Sequence, residues 1–422
     1  MAPPHNEYRW FVAVRLAGVA VRPLVLLVAL KLSDDGFATN YALIITAVMS
    51  SFVIYANQNH RDLYNFFLDR SSPRQGLGGK NAVHNYLDGV AIHMVVFTPA
   101  VMFLVWLWVE TLWLFLLTMP LVMIEKYYDD HQRALIYKRA YSRWSLHSLF
   151  RLTLVLVMVA GFGSVSVALY TAATIACFIT YLTYWDRTFL RALNRWLTSL
   201  RRLETSIILQ RAKRYAKDYL SDYVGAQIFT ILAINLMLID RFFVREVFSG
   251  TFAQYIFAVN IFSMISVFHN IFYFTRIRNK LISQSYPVFA TVFSLRNIGV
   301  PTVLALGALA SFPVMQMLGL LDGTLGWEVL CALAGVHFIA AITLVLREFA
   351  FWRVKRYWLV LMDIVVISMI FAALLISSQS LAAIPFVFAI GLLLRGATLS
   401  WLCSTTHENI RLPKTGKVAD AI

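Results

Sequence analysis

Residues 186–222 read DRTFLRALNRWLTSLRRLETSIILQRAKRYAKDYLSD, a basic stretch set between two long apolar halves. It carries Arg187, Arg191, Arg195, Arg201, Arg202, Arg211, Lys213, Arg214 and Lys217 against only Asp186, Glu204, Asp218 and Asp222. A segment this cationic resists crossing a bilayer and stays on the cytoplasmic side. It therefore fixes the side of every other connection.

Outward from that stretch the chain is apolar almost throughout. Of its 422 residues, 59% are hydrophobic and 14% charged, too apolar for a soluble chain of this length. The formal net charge of +15 is spread in patches between apolar runs, which fits the positive-inside rule and not a nucleic-acid surface. Cys177, Cys331 and Cys403 lie in or beside apolar runs with no metal or disulfide spacing. The first apolar run has no small-residue cleavage site after it, and Lys31, Asp34 and Asp35 follow, so it is expected to be a retained span.

With about 20 apolar residues needed per span, about twelve are expected: near 10–32, 37–57, 89–109, 111–126, 150–166, 169–185, 223–243, 251–275, 297–319, 326–346, 357–378 and 382–403. Connections after even-numbered spans are basic, for example Arg276, Arg278, Lys280 and Arg296, then Arg347, Arg353, Lys355 and Arg356. Those after odd-numbered spans are short and nearly free of cations, such as SDDG at 33–36 and LLDGTLG at 320–326. Both termini are therefore expected inside. Trp106, Trp108 and Trp113 suit the outer interfacial belt, and Trp185, Trp352, Tyr357 and Trp358 the inner one. The fourth span is expected to run on as a helix through 125–151, and the central stretch to place Leu190, Leu193, Trp196, Leu197 and Leu200 on one face.

Six spans lie on each side of the central stretch, dividing the chain into 1–185, a linker at 186–222, a second bundle at 223–403 and a tail at 404–422. LSDDGFATNYALIITAVMSS (32–51) and VFSGTFAQYIFAVNIFSMIS (247–266) share a Gly turn, Phe-Ala, a Tyr at Tyr41 and Tyr255, and a polar residue five positions on, Thr46 and Asn260. An even number of spans gives both halves one orientation, hence a parallel repeat.

Ionisable residues within spans are the candidates for function, since each costs roughly 2.5–3.5 kcal/mol at a helix centre. Arg15 and Arg22 share a face of the first span, and Pro23 follows Arg22 directly, removing a backbone hydrogen bond and marking, with Gly18, a possible hinge. Arg22 would draw an anionic group, or pair with an internal acid. Asp240 and Arg241 lie toward the outer end of span 7, and Asp363 and Arg395 lie at comparable depths in spans 11 and 12, where they could act separately or pair. His93, His269 and His337 are packing residues or proton relays.

Several motifs fail on context. His60-Arg61-Asp62-Leu63 has no accompanying Gly-rich loop, GLGGK at 76–80 ends in Asn81 where a P-loop needs Ser or Thr, and Leu412-Pro413-Lys414-Thr415-Gly416 precedes no apolar segment. Asp129-Asp130-His131 has no second acidic cluster with which to hold a metal, and none is expected.

This layout resembles the multidrug/oligosaccharidyl-lipid/polysaccharide (MOP) flippase superfamily, most of all its O-antigen and exopolysaccharide repeat-unit flippases. IDRFFVREVFSGTFAQYIFAVNIF (239–262) is similar to the family's passage from span 7 to span 8, and DDHQRALIYKRAYSRWSLHSLFR (129–151) to its basic helix after span 4. The resemblance implies an all-α polytopic membrane protein of two six-helix bundles around a V-shaped cavity, no enzyme, in the bacterial inner membrane. It implies passage of a polyprenyl-diphosphate-linked oligosaccharide between leaflets by alternating access, for cell-surface polysaccharide assembly. Its partners would be that lipid-linked glycan, membrane lipids and the polysaccharide polymerase or export machinery. The cationic lining carries over to Arg15 and Arg22, more weakly to Arg241 and Arg395. Coupling to a proton or sodium gradient, with no other cofactor, would fall to Asp240 or Asp363. A multidrug or organic-cation exporter of the same fold is the rival, favouring an acidic aromatic cavity. A membrane glycosyltransferase or polymerase would need larger outer loops, and an acyltransferase would use His269 or His337.

Overall fold

A computed structural model describes residues 5–32, 35–55, 78–137, 167–184, 187–200, 224–274, 288–321, 325–377 and 379–405, with scattered positions between. Among the described residues the secondary structure is helical and no strand occurs. The helices are α1 (His5–Leu32), α2 (Asp35–Tyr55), α3 (Gly78–Val109), α4 (Leu112–Tyr137), α5 (Val167–Tyr184), α6 (Arg187–Leu200), α7 (Val224–Leu236), α8 (Ile239–Val247), α9 (Phe252–His269), α10 (Val288–Val292), α11 (Leu295–Met317), α12 (Trp327–Arg353), α13 (Arg356–Ser377) and α14 (Ala383–Thr405).

Nine of these stretches are long and apolar enough to cross a membrane, ten if α7 and α8 form one bent span. α4 adds another helix of spanning length, 26 residues, with Glu125, Lys126, Asp129 and Asp130 in its second half. Eleven of the twelve expected positions thus carry helix, and the twelfth, 150–166, lies outside the described residues apart from Phe150 and Thr153, both helical. Span 7 is not the single straight helix that its apolar run predicts. It bends by 41° between α7 and α8, because Met237 and Leu238 leave the helical ladder and Asp240 begins a new first turn.

The chain packs as two units, Met1–Asn260 and Ile261–Ile422, a boundary inside α9. By packing, α7 and α8 associate with the first unit. There α2 is the central helix, in contact with α1, α3, α4, α5 and α7. Its sequence explains the position: Ala38, Ala42, Ala47, Ser50 and Ser51 are all buried, and small residues let helix backbones approach closely in lipid. Thr46 and Ser50 return their hydroxyl protons to the carbonyls of Ala42 and Ala47, so none of this polarity reaches lipid. Tyr41 packs edge-on to Tyr170 of α5.

In the second unit α12 is central, against α10, α11, α13 and α14. α14 brings its own small residues to the contacts: a Cβ added at Gly391 would overlap Cγ1 and Cδ1 of Ile370 on α13, and one at Gly396 would lie 3.0 Å from Thr343 Cγ2 on α12. α11 starts on Ser294, whose side chain caps the Asn297 amide, and stops on Gly319 at φ +67°, with Leu320 N–H bonding back to Met315. α9 runs into one π-helical turn, Asn270–Phe274.

Among the aromatics expected at the interfaces, exposure differs. Trp106, Trp113, Tyr357 and Trp358 are exposed, but Trp108 is buried, because a cation is stacked on its ring; Trp185 and the Trp352 side chain lie outside the description. α4 does continue the fourth span, as far as Tyr137.

Candidate functional site

The bend in span 7 carries the main concentration of buried charge in the first unit. Asp240 and Arg241 occupy the first turn of α8, where the exposed N–H groups favour a carboxylate. Both are buried, at 2% and 8% exposure. Tyr255, from the following helix α9, donates its hydroxyl proton to Asp240 Oδ2 at 2.7 Å. Among the described residues, Asp240 Oδ1 and Arg241 Nε find no side-chain partner, and the carboxylate leans on the backbone N–H groups of its own first turn. Adjacent residues on a helix point apart, so the pair attracts electrostatically without closing into a bidentate bridge.

Arg22 of α1 stands near enough to Arg241 for the two like charges to repel. Among the described residues it bonds from Nη1 to the Met49 sulfur on α2, 3.2 Å away, a weak and soft acceptor. Of the two sequence expectations for Arg22, pairing with an internal acid is not met among the described residues. The cluster holds two guanidinium groups and one carboxylate, with buried donors and acceptors still open. In a low-dielectric setting such an arrangement attracts an anion. Pro23 is buried beside it, yet α1 is continuous from His5 to Leu32, and Gly18 has open space around its Cα. Arg15 lies in α1, its side chain outside the description.

Asp363 and Arg395 behave differently. Arg395 Nε and Nη2 grip the two carboxylate oxygens of Asp363 at 2.7 and 2.9 Å, with the Asp363 side chain fully buried. The separate roles expected of them, an anion-binding cation and a coupling acid, meet here in one closed pair of no net charge, the alternative that their matching depths allowed. The fork geometry explains the closure: a planar guanidinium matches a carboxylate edge to edge.

The histidines are buried, and two of them are held by hydrogen bonds. His269 Nε2 lies 2.9 Å from Asn297 Oδ1, while Asn297 Nδ2 donates to the carbonyls of Val292 and Ile342. The amide oxygen can only accept, so His269 carries its proton on Nε2. His93 Nε2 and Gln227 Nε2 lie 2.9 and 2.6 Å from the carbonyl of Ile54, in the last turn of α2. His337 is buried in α12. Asp130 pairs with Lys126 one turn back in α4. No group of three potential metal-ligating side chains occurs among the described residues. The 60–63 and 412–416 motifs lie outside them.

Sequence reading missed Arg245. α3 ends at Val109, leaving its last carbonyls open. The Glu110 amide takes that of Trp106 at 2.9 Å and the Thr111 amide that of Val109. The remaining two, Leu107 and Trp108, accept from Arg245 Nη1 at 2.6 and 2.7 Å. The same guanidinium stacks on Trp108 and Phe242, 5.5 and 5.3 Å from the ring centroids, and reaches Glu110 Oε1 at 2.9 Å. Glu110 itself sits at φ 51°, a left-handed position that a helix end commonly gives to glycine. Together, Gln227 and Arg245 tie the bent α7–α8 segment to the ends of α2 and α3. The only signal in the sequence was a second arginine four residues after Arg241.

No protein-family model and no curated protein sequence matches the chain. Solved structures do. A multidrug resistance MATE family transporter of the MOP superfamily, in an inward-facing conformation, aligns over 94% of this chain and 99% of its own, at 13% identity and a TM-score of 0.58. An outward-facing MATE transporter of the superfamily aligns over 94% and 96%, also at 13%, with a TM-score of 0.49. A variant of the Vibrio cholerae MATE transporter VcmN aligns over 94% and 96% at 12%, with 0.45. The chain is an all-α polytopic membrane protein with the fold of the inward-facing MATE transporter it overlays.

Proposed function

We propose that the protein is an alternating-access transporter of an anionic lipid-linked glycan, a polyprenyl-diphosphate oligosaccharide moved between leaflets of a bacterial inner membrane. The observation that carries this reading is the charge balance at the span 7 bend: Arg22 and Arg241 against Asp240, with Arg22, among the described residues, bonded to a thioether. A diphosphate bearing sugars cannot cross hydrocarbon unaided, and a buried guanidinium at Arg241 with a half-buried one at Arg22 supplies charge and forked donors for its oxygens. Arg15, on the same helix as Arg22, would join them. Asp240, its one oxygen held by Tyr255, is the acid for coupling to a proton or sodium gradient. Asp363 and Arg395 are structural in this scheme. The polymerase and export machinery of polysaccharide assembly would take the product.

Export of an organic cation is the second reading, and the MATE fold is compatible with it. A cation would have to enter beside two arginines, which weighs against it.

The test is a flipping assay in liposomes, with a fluorescent polyprenyl-diphosphate sugar and leaflet-specific quenching. Wild type flips the lipid, Arg22→Ala and Arg241→Ala lose activity, and Arg22→Lys restores part of it. Wild-type protein that moves no lipid-linked sugar but exports an organic cation overturns the glycan reading.

A further inference from the structure

The amphipathic helix α6 lies outside the span 7 cluster, and its placement can be fixed from both of its ends. Arg187, its first residue, donates through Nε to the Thr183 carbonyl at 2.9 Å, in the last turn of the spanning helix α5. Near the other end, Trp196 is buried on Leu87, Val90 and Ala91 of α3 and donates its indole N–H to Asp88 Oδ1 at 2.7 Å. The apolar span of α3 begins at Val90. One end of α6 is therefore fixed where a span finishes and the other where a span starts, so its axis runs along the membrane boundary.

The faces of α6 agree with that placement. Arg187, Arg191 and Arg195 are exposed at intervals of four residues, a stripe about 12 Å long on one side. Their recorded bonds use Nε, to Thr183 and, for Arg191, to the Arg187 carbonyl at 3.3 Å, and not the Nη edge that matches a phosphate. Leu197 is exposed although it belongs to the apolar face with Leu193 and Trp196. An exposed leucine at the membrane boundary beside a stripe of arginines is what a helix half-sunk in a leaflet presents.

We propose that α6 is a lipid-reading interfacial helix: Leu197 enters the acyl boundary, and Arg187, Arg191 and Arg195 bind the phosphates of anionic lipids, with the Trp196–Asp88 bond as the clamp that holds the helix at that depth. The occupant is the lipid bilayer itself. This goes beyond the transport reading and does not depend on it.

The experiment uses the full-length protein in phosphatidylcholine membranes with and without phosphatidylglycerol. Spin-labelled phosphatidylglycerol should be retained at the protein boundary in preference to spin-labelled phosphatidylcholine, with the preference falling as salt is raised. In Arg187→Gln/Arg191→Gln/Arg195→Gln the preference should fall by about fivefold per arginine removed. A nitroxide at Leu197→Cys, with Cys177, Cys331 and Cys403 replaced, should read a depth below the phosphates, and Trp196→Phe should move it toward water. Wild-type protein without lipid preference, a triple variant that keeps it, or a Leu197 label in bulk water would each overturn the proposal. All three readouts are independent of any transported substrate.

Discussion

Replacing Arg245 by alanine should destabilise the first unit by about 3 kcal/mol. The loss has three parts. Two charge-assisted hydrogen bonds to the Leu107 and Trp108 carbonyls disappear, each worth about 1.5–3 kcal/mol when sheltered. Water near the exposed Glu110 can satisfy part of that loss, which brings the sum toward the lower end. The stacks on Trp108 and Phe242 add about 0.5–1 kcal/mol. The ion pairs with Glu110 and Glu246 add little, because those side chains are 65% and 48% exposed and screened. The attribution is therefore testable within one series. Arg245→Lys keeps the charge but loses the fork, and should recover less than half of the loss. Glu110→Gln should cost well under about 1 kcal/mol. Denaturant unfolding in mixed micelles, followed by tryptophan fluorescence, ranks the three. A Glu110→Gln variant as damaged as Arg245→Ala would mean that the ion pair matters and the capping of α3 does not, which refutes the accounting given above.

Arg395→Leu should cost about 3–5 kcal/mol by stranding a buried carboxylate, while Asp363→Leu/Arg395→Leu should return most of it; the same unfolding assay reads both. If the pair is structural, that double variant also keeps transport. Gly391→Ala should destabilise by about 1–3 kcal/mol through overlap with Ile370, and Ile370→Ala in the same chain should relieve part of this, seen as a partial recovery of the thermal midpoint. Tyr255→Phe removes the hydrogen bond to Asp240 and should lower gradient-driven transport more than downhill exchange, measured in vesicles with and without an imposed pH difference.

The fold was legible because lipid imposes a coarse rule. A span must be apolar for about 20 residues, so hydropathy and the distribution of lysine and arginine locate most helices without any knowledge of packing. Where the reading failed, pairwise geometry decided. The bend at Met237–Leu238 contains no glycine or proline, so nothing local announces it. Trp108 looks like an interfacial tryptophan until Arg245, distant in sequence, is placed over its ring. The candidate site was half legible. Charges inside spans are conspicuous because they are costly, which singled out Arg22, Asp240, Arg241, Asp363 and Arg395. Whether such a charge is shared, closed or left open depends on side-chain reach: Arg395 reaches Asp363 with both nitrogens, whereas Arg22, among the described residues, meets the Met49 sulfur.

The π-helical turn at Asn270–Phe274 bears on how the end of α9 should be compared with any other sequence. Buried positions follow the usual spacing through Phe262, Ile265 and His269; within the widened turn Ile271 is buried and Phe272 faces out, and the row resumes at Phe274, five residues after His269. One residue has in effect been inserted into the helix and absorbed as a widened turn, rotating everything after it by about 100° relative to an unbroken helix. A gap-free alignment through this point would pair lipid-facing residues with buried ones on one side of it, and a one-residue gap is the physically correct way to write the comparison.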